Sequence, residues 1–180
     1  MGVGVDLGPL LETARLRLRR PRAADIEASF AIWRQPETVR HITGKPFTRE
    51  ECWARLLRHA GHWTLKPYGP WAVELRATGA YVGEVGFFDF QREMLPSQGD
   101  LPEAGWVLSP SAHGQGYATE AVAAALAWGD AHLDERGCFC IIHPANLASI
   151  GVARKSGFRD GGLARYKGED ILLMHRPRGG

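Results

Sequence analysis

The most constraining feature of the chain is a strand that runs into a glycine loop and straight on into a helix. Residues 106–121 read Trp-Val-Leu-Ser-Pro-Ser-Ala-His-Gly-Gln-Gly-Tyr-Ala-Thr-Glu-Ala. Strand-like residues 103–109 stop at Pro110, Gly114 and Gly116 follow, and the Ala-rich stretch 118–133 reads as a long helix closing near Gly137. Glycines let the main chain approach a ligand and turn successive N–H groups the same way. A helix N-terminus adds about half a positive charge and unpaired donors. Together these make a phosphate cradle. Two well-known cradles do not fit. No Gly-Lys-Ser/Thr follows, as a P-loop requires, and Thr119 occupies the third glycine position of the dinucleotide fingerprint.

The remaining segments place that loop in the middle of one mixed α/β domain. Residues 13–20 alternate Leu with Arg, as a strand does with one face inward and one in water. Residues 23–34 carry Ile26, Phe30 and Trp33 at helical spacing, and 36–42 are a further short helix. Thr48-Arg-Glu-Glu51 is a capping box, followed by Trp53, Leu56, Leu57, Ala60 and Trp63 as the expected apolar face. Strands at 71–76 and 81–90 meet at Ala77-Thr-Gly79, and 91–102, with two prolines, Gly99 and Asp100, reads as an irregular excursion. After the long helix come a β-rich run at 138–143, a helix at 146–156 closed by Gly157, and strands at 158–166 and 170–175. No linker or repeat divides this order. Residues 1–12 read as a flexible leader, 13–176 as the domain and 177–180 as a tail. Trp33, Trp53, Trp63, Trp71 and Trp128 are expected in the core.

Composition narrows the setting. At 180 residues and 19.8 kDa, surface scaling leaves roughly 70 % of the unfolded surface buried, enough for a core without staples. The net charge of +2 is too weak to indicate nucleic-acid binding, no apolar run suits a membrane span, and the N-terminal residues lack the pattern of a signal peptide. Three cysteines, two of them in Cys138-Phe-Cys140, suit neither a disulfide nor a zinc knuckle. His59 and His62 stand i,i+3 on a helix with no third ligand near in sequence, so they read as a polar face and no metal is expected. A cytoplasmic protein, monomer or homodimer, is the expectation.

The loop does not stand alone. His113-x-x-Gly116-x-Ala118 resembles the acetyl-CoA pyrophosphate loop of the GNAT N-acetyltransferases, Gln/Arg-x-x-Gly-x-Gly/Ala, departing from it at the first position. About 30 residues on, Asn146-Leu-Ala-Ser149 and Arg154-Lys155-Ser-Gly157-Phe158 resemble the second half of the same site. Thr13-Ala-Arg-Leu-Arg-Leu-Arg and Gly83-Glu-Val-Gly86 resemble the opening strand and middle hairpin of the subgroup containing the ribosomal-protein N-terminal acetyltransferases. The resemblance implies a mostly antiparallel, splayed central sheet flanked by about four helices. It implies pantetheine bound as a pseudo-strand near Trp106, Val107 and Leu108, and pyrophosphate near His113 and Gly114 on the amides of Gln115, Gly116, Tyr117, Ala118 and Thr119. It also implies Asn146 at the pantetheine arm and Arg154 or Lys155 at the nucleotide phosphates.

The reaction implied is attack by a neutral amine on a thioester, which needs donors for the oxyanion and a proton for the leaving thiolate. The family's usual tyrosine acid is replaced by Ala153, and Ser149, one helical turn earlier, is the expected substitute. Glu103 leads as general base, with Glu84, Asp89 and His143 as alternatives, and an α-amine of low pKa needs none of them. The two helices of the N-terminal half flank the acceptor site in this family, which points to Trp33, His41 and Phe47 as its lining. The acceptor reads as a protein N-terminal amine, with small-molecule amines (a polyamine, an amino acid or an antibiotic) and a non-catalytic acyl-CoA-binding module as the competing readings.

Overall fold

In a computed structural model that describes residues 9–133 and 136–180, the chain forms a nine-stranded sheet. The strands are β1 (Leu11–Glu12), β2 (Leu16–Arg19), β3 (Pro70–Leu75), β4 (Tyr81–Phe88), β5 (Met94–Leu95), β6 (Glu103–Leu108), β7 (Cys138–Ile142), β8 (Arg159–Tyr166) and β9 (Glu169–Arg176). The helices are α1 (Ile26–Trp33), α2 (Pro36–Val39), α3 (Arg49–Leu65), α4 (Tyr117–His132) and α5 (Leu147–Lys155), with short 3-10 turns at Ala23–Asp25 and Pro110–Ala112. The strand order is β1-β2-β3-β4-β6-β7-β9-β8-β5, and every neighbouring pair except β6–β7 is antiparallel. The short helix expected within 36–42 is the four-residue α2.

Alternation along β4 sets the two faces. Val85 and Phe87 join α4 in the main core, while Glu84 and Phe88 point toward α3. Leu16 and Leu18 are likewise fully buried in the main core, with Ala121, Val122, Ala125 and Leu126 of α4. A second core of Ile26, Trp33, Val39, Cys52 and Leu56 ties α1, α2 and α3 together. Trp63, Trp71 and Trp128 make edge-on ring contacts with one another at 5.0–5.8 Å.

Several expectations shift. Residues 11 and 12, read as leader, pair with Arg17 and Leu18, and Trp71 Nε1 donates to the Pro9 carbonyl at 2.9 Å. Within 91–102, Met94–Leu95 pairs with the end of β8. Arg19 does not lie in water with Arg17. The turn after β2 covers it, and Asp25 and Glu74 both hold its guanidinium at 2.6 Å. Helix α3 is rotated from the expected face. Its capping box forms as read, yet Trp53 and Leu57 are 39 % and 55 % exposed, and Cys52, His59 and His62 are buried with Leu56 and Trp63. Hydrophobic periodicity misplaced this face because α3 turns polar side chains toward Glu84 and Asp89, described below.

Gly129 records how closely α4 lies on β4. A Cβ there would sit 2.5 Å from the Phe87 ring, which is 2 % exposed and has nowhere to move. Alanine improves helix propensity by about 1 kcal/mol, whereas overpacking a tight core costs about 1–3 kcal/mol. Gly129→Ala is therefore expected to lower the urea midpoint, and a raised midpoint would show that the α4–β4 contact is loose.

Candidate active site

The site begins where the sheet comes apart. Strands β6 and β7 share one register pair, Glu103 with Phe139, supported by a hydrogen bond from the Phe139 N–H to the Pro102 carbonyl at 3.1 Å. Beyond that pair they diverge. Although β6 lies fifth in a sheet of nine, Gly105, Trp106 and Val107 are half-exposed. Main-chain groups at the middle of a sheet are ordinarily paired, so the open edge is a row of donors and acceptors offered to an extended ligand.

At the far end of β6 the chain enters the glycine loop. Gly114 (φ +74°) and Gly116 (φ +79°) both adopt the left-handed region, and Gly116 is the N-cap of α4. The first helical bond runs from the Glu120 N–H to the Gly116 carbonyl, which leaves the amides of residues 116–119 as the helix's orphan donors. His113, where the family pattern has Gln or Arg, is bonded through Nε2 to the Leu108 carbonyl at 3.0 Å, tying the loop to the end of β6. From the other side, Arg15 donates through Nη1 to the Gln115 carbonyl at 2.9 Å. Because C=O and N–H point opposite ways across a trans peptide, that bond turns the Gly116 amide away from Arg15. Glu120 fixes Arg15 in turn, accepting from its Nε at 2.7 Å and from Thr13 Oγ1 at 2.6 Å. Neither partner of this brace was evident from sequence, because they lie 105 residues apart.

The gap opens into a cleft of about 880 Å³ that runs from α5 to α3. Asn146 caps α5 by accepting the Ser149 N–H on Oδ1 at 3.1 Å, and both residues line the cleft. Among the described residues the Ser149 hydroxyl has no protein hydrogen bond, whereas Ala153, at the tyrosine position, is fully buried. Arg154 is turned to Asp160 at 2.9 Å, and Lys155 is exposed beside it.

Each residue considered as a general base is already engaged. Both Glu103 oxygens are held by Arg92, at 2.5 and 2.8 Å. Glu84 is bound by Arg55 and faces His59 Nδ1 at 3.3 Å. Burial pushes its carboxyl pKa up, but Arg55 and the hydrogen bonds outweigh that and leave it at about 2. Burial holds His59 neutral, so Arg55 supplies the compensating charge. Asp89 takes Lys66 and the Gln91 side chain. His143 lines the cleft, and its Nδ1 accepts the Ala145 N–H at 3.1 Å, so the neutral ring carries its proton on Nε2. His59 and His62, expected on a polar surface, are instead buried parts of this frame, and His62 Nε2 accepts the Asp89 N–H at 3.1 Å.

A splayed sheet with an open β6 edge and a left-handed glycine turn capping the next helix is the architecture of an acetyl-transfer enzyme. The Acetyltransferase (GNAT) domain profile matches residues 15–159, and the chain belongs to that family of acetyltransferases. It is 26 % identical over 153 residues to the uncharacterised N-acetyltransferase YnaD of Bacillus subtilis (strain 168), covering 85 % of this chain and 84 % of that one. An acetyltransferase structure from Agrobacterium tumefaciens str. C58 superposes with a TM-score of 0.80 at 26 % identity, over 93 % of each chain. RimL, a ribosomal alpha-N-protein acetyltransferase solved in complex with coenzyme A, shares the fold, with a TM-score of 0.76 at 16 % identity over 94 % of this chain and 98 % of its own. Among the described residues no helix is long and apolar enough to cross a membrane.

Glu84→Gln is expected to destabilise the fold by about 3 kcal/mol, because Arg55, with a side chain 13 % exposed, loses its counter-charge. Glu84 has a folded pKa below its usual 4.5, so its contribution is complete above that value and is lost as pH falls toward 2. Urea midpoints at pH 7 and pH 3 check this: the gap between wild type and variant should narrow at pH 3.

Proposed function

We propose that this chain transfers acetyl from acetyl-CoA to an α-amine by direct attack, with no dedicated general base. The observation that carries the reading is the half-exposed, unpaired edge of central strand β6 ending at an amide-rich helix start. Pantetheine bound there adds the missing strand along Trp106, Val107 and Leu108, and the amides from Gln115 to Thr119 take the pyrophosphate. Asn146 keeps Nδ2 available for the pantetheine arm. Since Arg154 pairs with Asp160, Lys155 is the better placed of the two cations for a nucleotide phosphate. The acetyl carbonyl then lies in the cleft, where His143 Nε2–H is a candidate oxyanion donor and the unpartnered Ser149 hydroxyl a candidate acid for the thiolate.

The occupied carboxylates support an acceptor that arrives neutral. An α-amine with a pKa near 8 is roughly 10 % neutral at pH 7, a lysine-like amine about 0.04 %. A protein N-terminus and a small α-amine both satisfy this condition. The cleft surface is basic in balance, six Arg or Lys against four Asp or Glu, which disfavours a polyamine.

Two experiments test the reading. Gly116→Val adds a branched side chain at φ +79° beside the phosphate amides and is expected to weaken acetyl-CoA binding at least ~10-fold by calorimetry, with the fold checked by circular dichroism. Undiminished binding by the folded variant would remove the loop from the site. Ser149→Ala is expected to lower kcat about 10–100-fold with KM for acetyl-CoA nearly constant, as for a contact made only in the transition state. A larger loss with Tyr166→Phe, whose ring also lines the cleft, would transfer the acid role to that tyrosine.

A further inference from the structure

The wall of the cleft formed by α3 and the segment after β4 holds more positive charge than its own carboxylates neutralise. Three guanidinium groups meet there, on Arg55, Arg58 and Arg92, against two buried carboxylates, on Glu84 and Glu103. Arg55 takes Glu84 and Arg92 takes Glu103 with two hydrogen bonds. Arg58 has no carboxylate within ion-pair distance among the described residues. It is held by aromatic contact: its guanidinium lies 5.3 Å from the Phe90 ring centroid, and that of Arg92 lies 4.6 Å from the same ring. Loss of hydration and the charges of Arg55 and Arg92 push the Arg58 pKa down, against the pull of Glu84. Arg58 is itself exposed, so its charge adds to those of Arg55 and Arg92 at the cleft surface, and three like charges stand around two anions, an arrangement that an added anion relieves.

We propose that the acceptor is a primary amine that also carries a carboxylate, and that Arg58 is its specificity anchor. The inference rests on the acetyl-transfer reading above and adds the substrate class. The guanidinium is a planar fork suited to bidentate capture of a carboxylate, and Phe90 limits its rotamers, so little ordering is needed on binding. Arg58 lies on α3, and α5 with Asn146 and Ser149 lines the opposite part of the same cleft, so an acceptor held at Arg58 lies on the acceptor side and not at the phosphate loop. Arg40, Lys45 and Lys167, also on the lining, add positive potential that steers an acidic molecule inward.

The test measures free CoA thiol released from acetyl-CoA with matched acceptor pairs: α-amino acids and their amides, acidic N-terminal peptides and their Gln/Asn counterparts, and spermidine as the cationic control. Wild type is expected to favour the acid member by at least ~10-fold in kcat/KM. Arg58→Gln should abolish that preference through KM for the acceptor, with KM for acetyl-CoA unmoved, and Arg58→Lys should restore part of it. Preference for free amino acids assigns a small acceptor, and preference confined to peptides assigns a protein N-terminus. Equal rates within pairs, preference for spermidine, or a raised KM for acetyl-CoA in Arg58→Gln would overturn the inference while leaving acetyl transfer intact. If acetyl-CoA itself does not bind, acetyl transfer fails instead. If it binds and no amine turns over, calorimetric titration of the CoA complex with the same acids decides, and the absence of any binding that Arg58→Gln loses overturns the anchor.

Discussion

A single parallel contact, Glu103 beside Phe139, organises the working part of this molecule. Parallel strands need an intervening crossover, supplied here by the glycine loop and α4 between β6 and β7. The strands touch at the start of β6 and separate toward its end, so the loop, the orphan amides of α4 and the open backbone edge all fall on the same side of the gap. Closing the gap with further pairs would satisfy the backbone of Gly105, Trp106 and Val107 internally and leave no room for an extended ligand. The sheet therefore carries unpaired main chain in a central strand, which a fully paired sheet would not.

The side-chain contacts around the gap divide into two kinds of work. Arg15–Glu120 and His113–Leu108 act on the main chain of the glycine loop, one from the strand β2 side and one from the end of β6. Arg55–Glu84–His59 and Arg92–Glu103 frame the α3 side of the cleft, with the guanidinium of Arg55 also 4.0 Å from the Trp33 ring centroid. Buried pairs of this type contribute little net stability against an apolar alternative, but losing one partner is severe. Their effect in this fold is to hold Glu84 and Glu103 oriented against cations, with both carboxylates already partnered.

Much of this was readable before any coordinates. The glycine spacing at Gly114 and Gly116, the Thr48 capping box and the β–α order follow from local rules, because each depends on residues a few positions apart. The rotation of α3, the burial of Arg19 and the two-residue strand Leu11–Glu12 did not. In each case the partner is distant: Glu84 for His59, Glu74 for Arg19, Arg17 and Leu18 for the short strand. Hydrophobic periodicity assumes that buried means apolar, and that assumption fails where a helix lays charged side chains against carboxylates from a sheet.

The sequence by itself determined the family and the glycine spacing of the loop before α4, since these are carried by residue type and short spacing. The tertiary structure alone decided that Glu103, Glu84 and Asp89 are all engaged by cations, that His143 Nδ1 is taken by the Ala145 N–H, and that Arg58 has no carboxylate at ion-pair distance among the described residues. Charge balance in a cleft is a property of groups brought together from α3, β4, β6 and the segment between them. Their separations are set by strand register and helix rotation, and no local pattern in the chain encodes either.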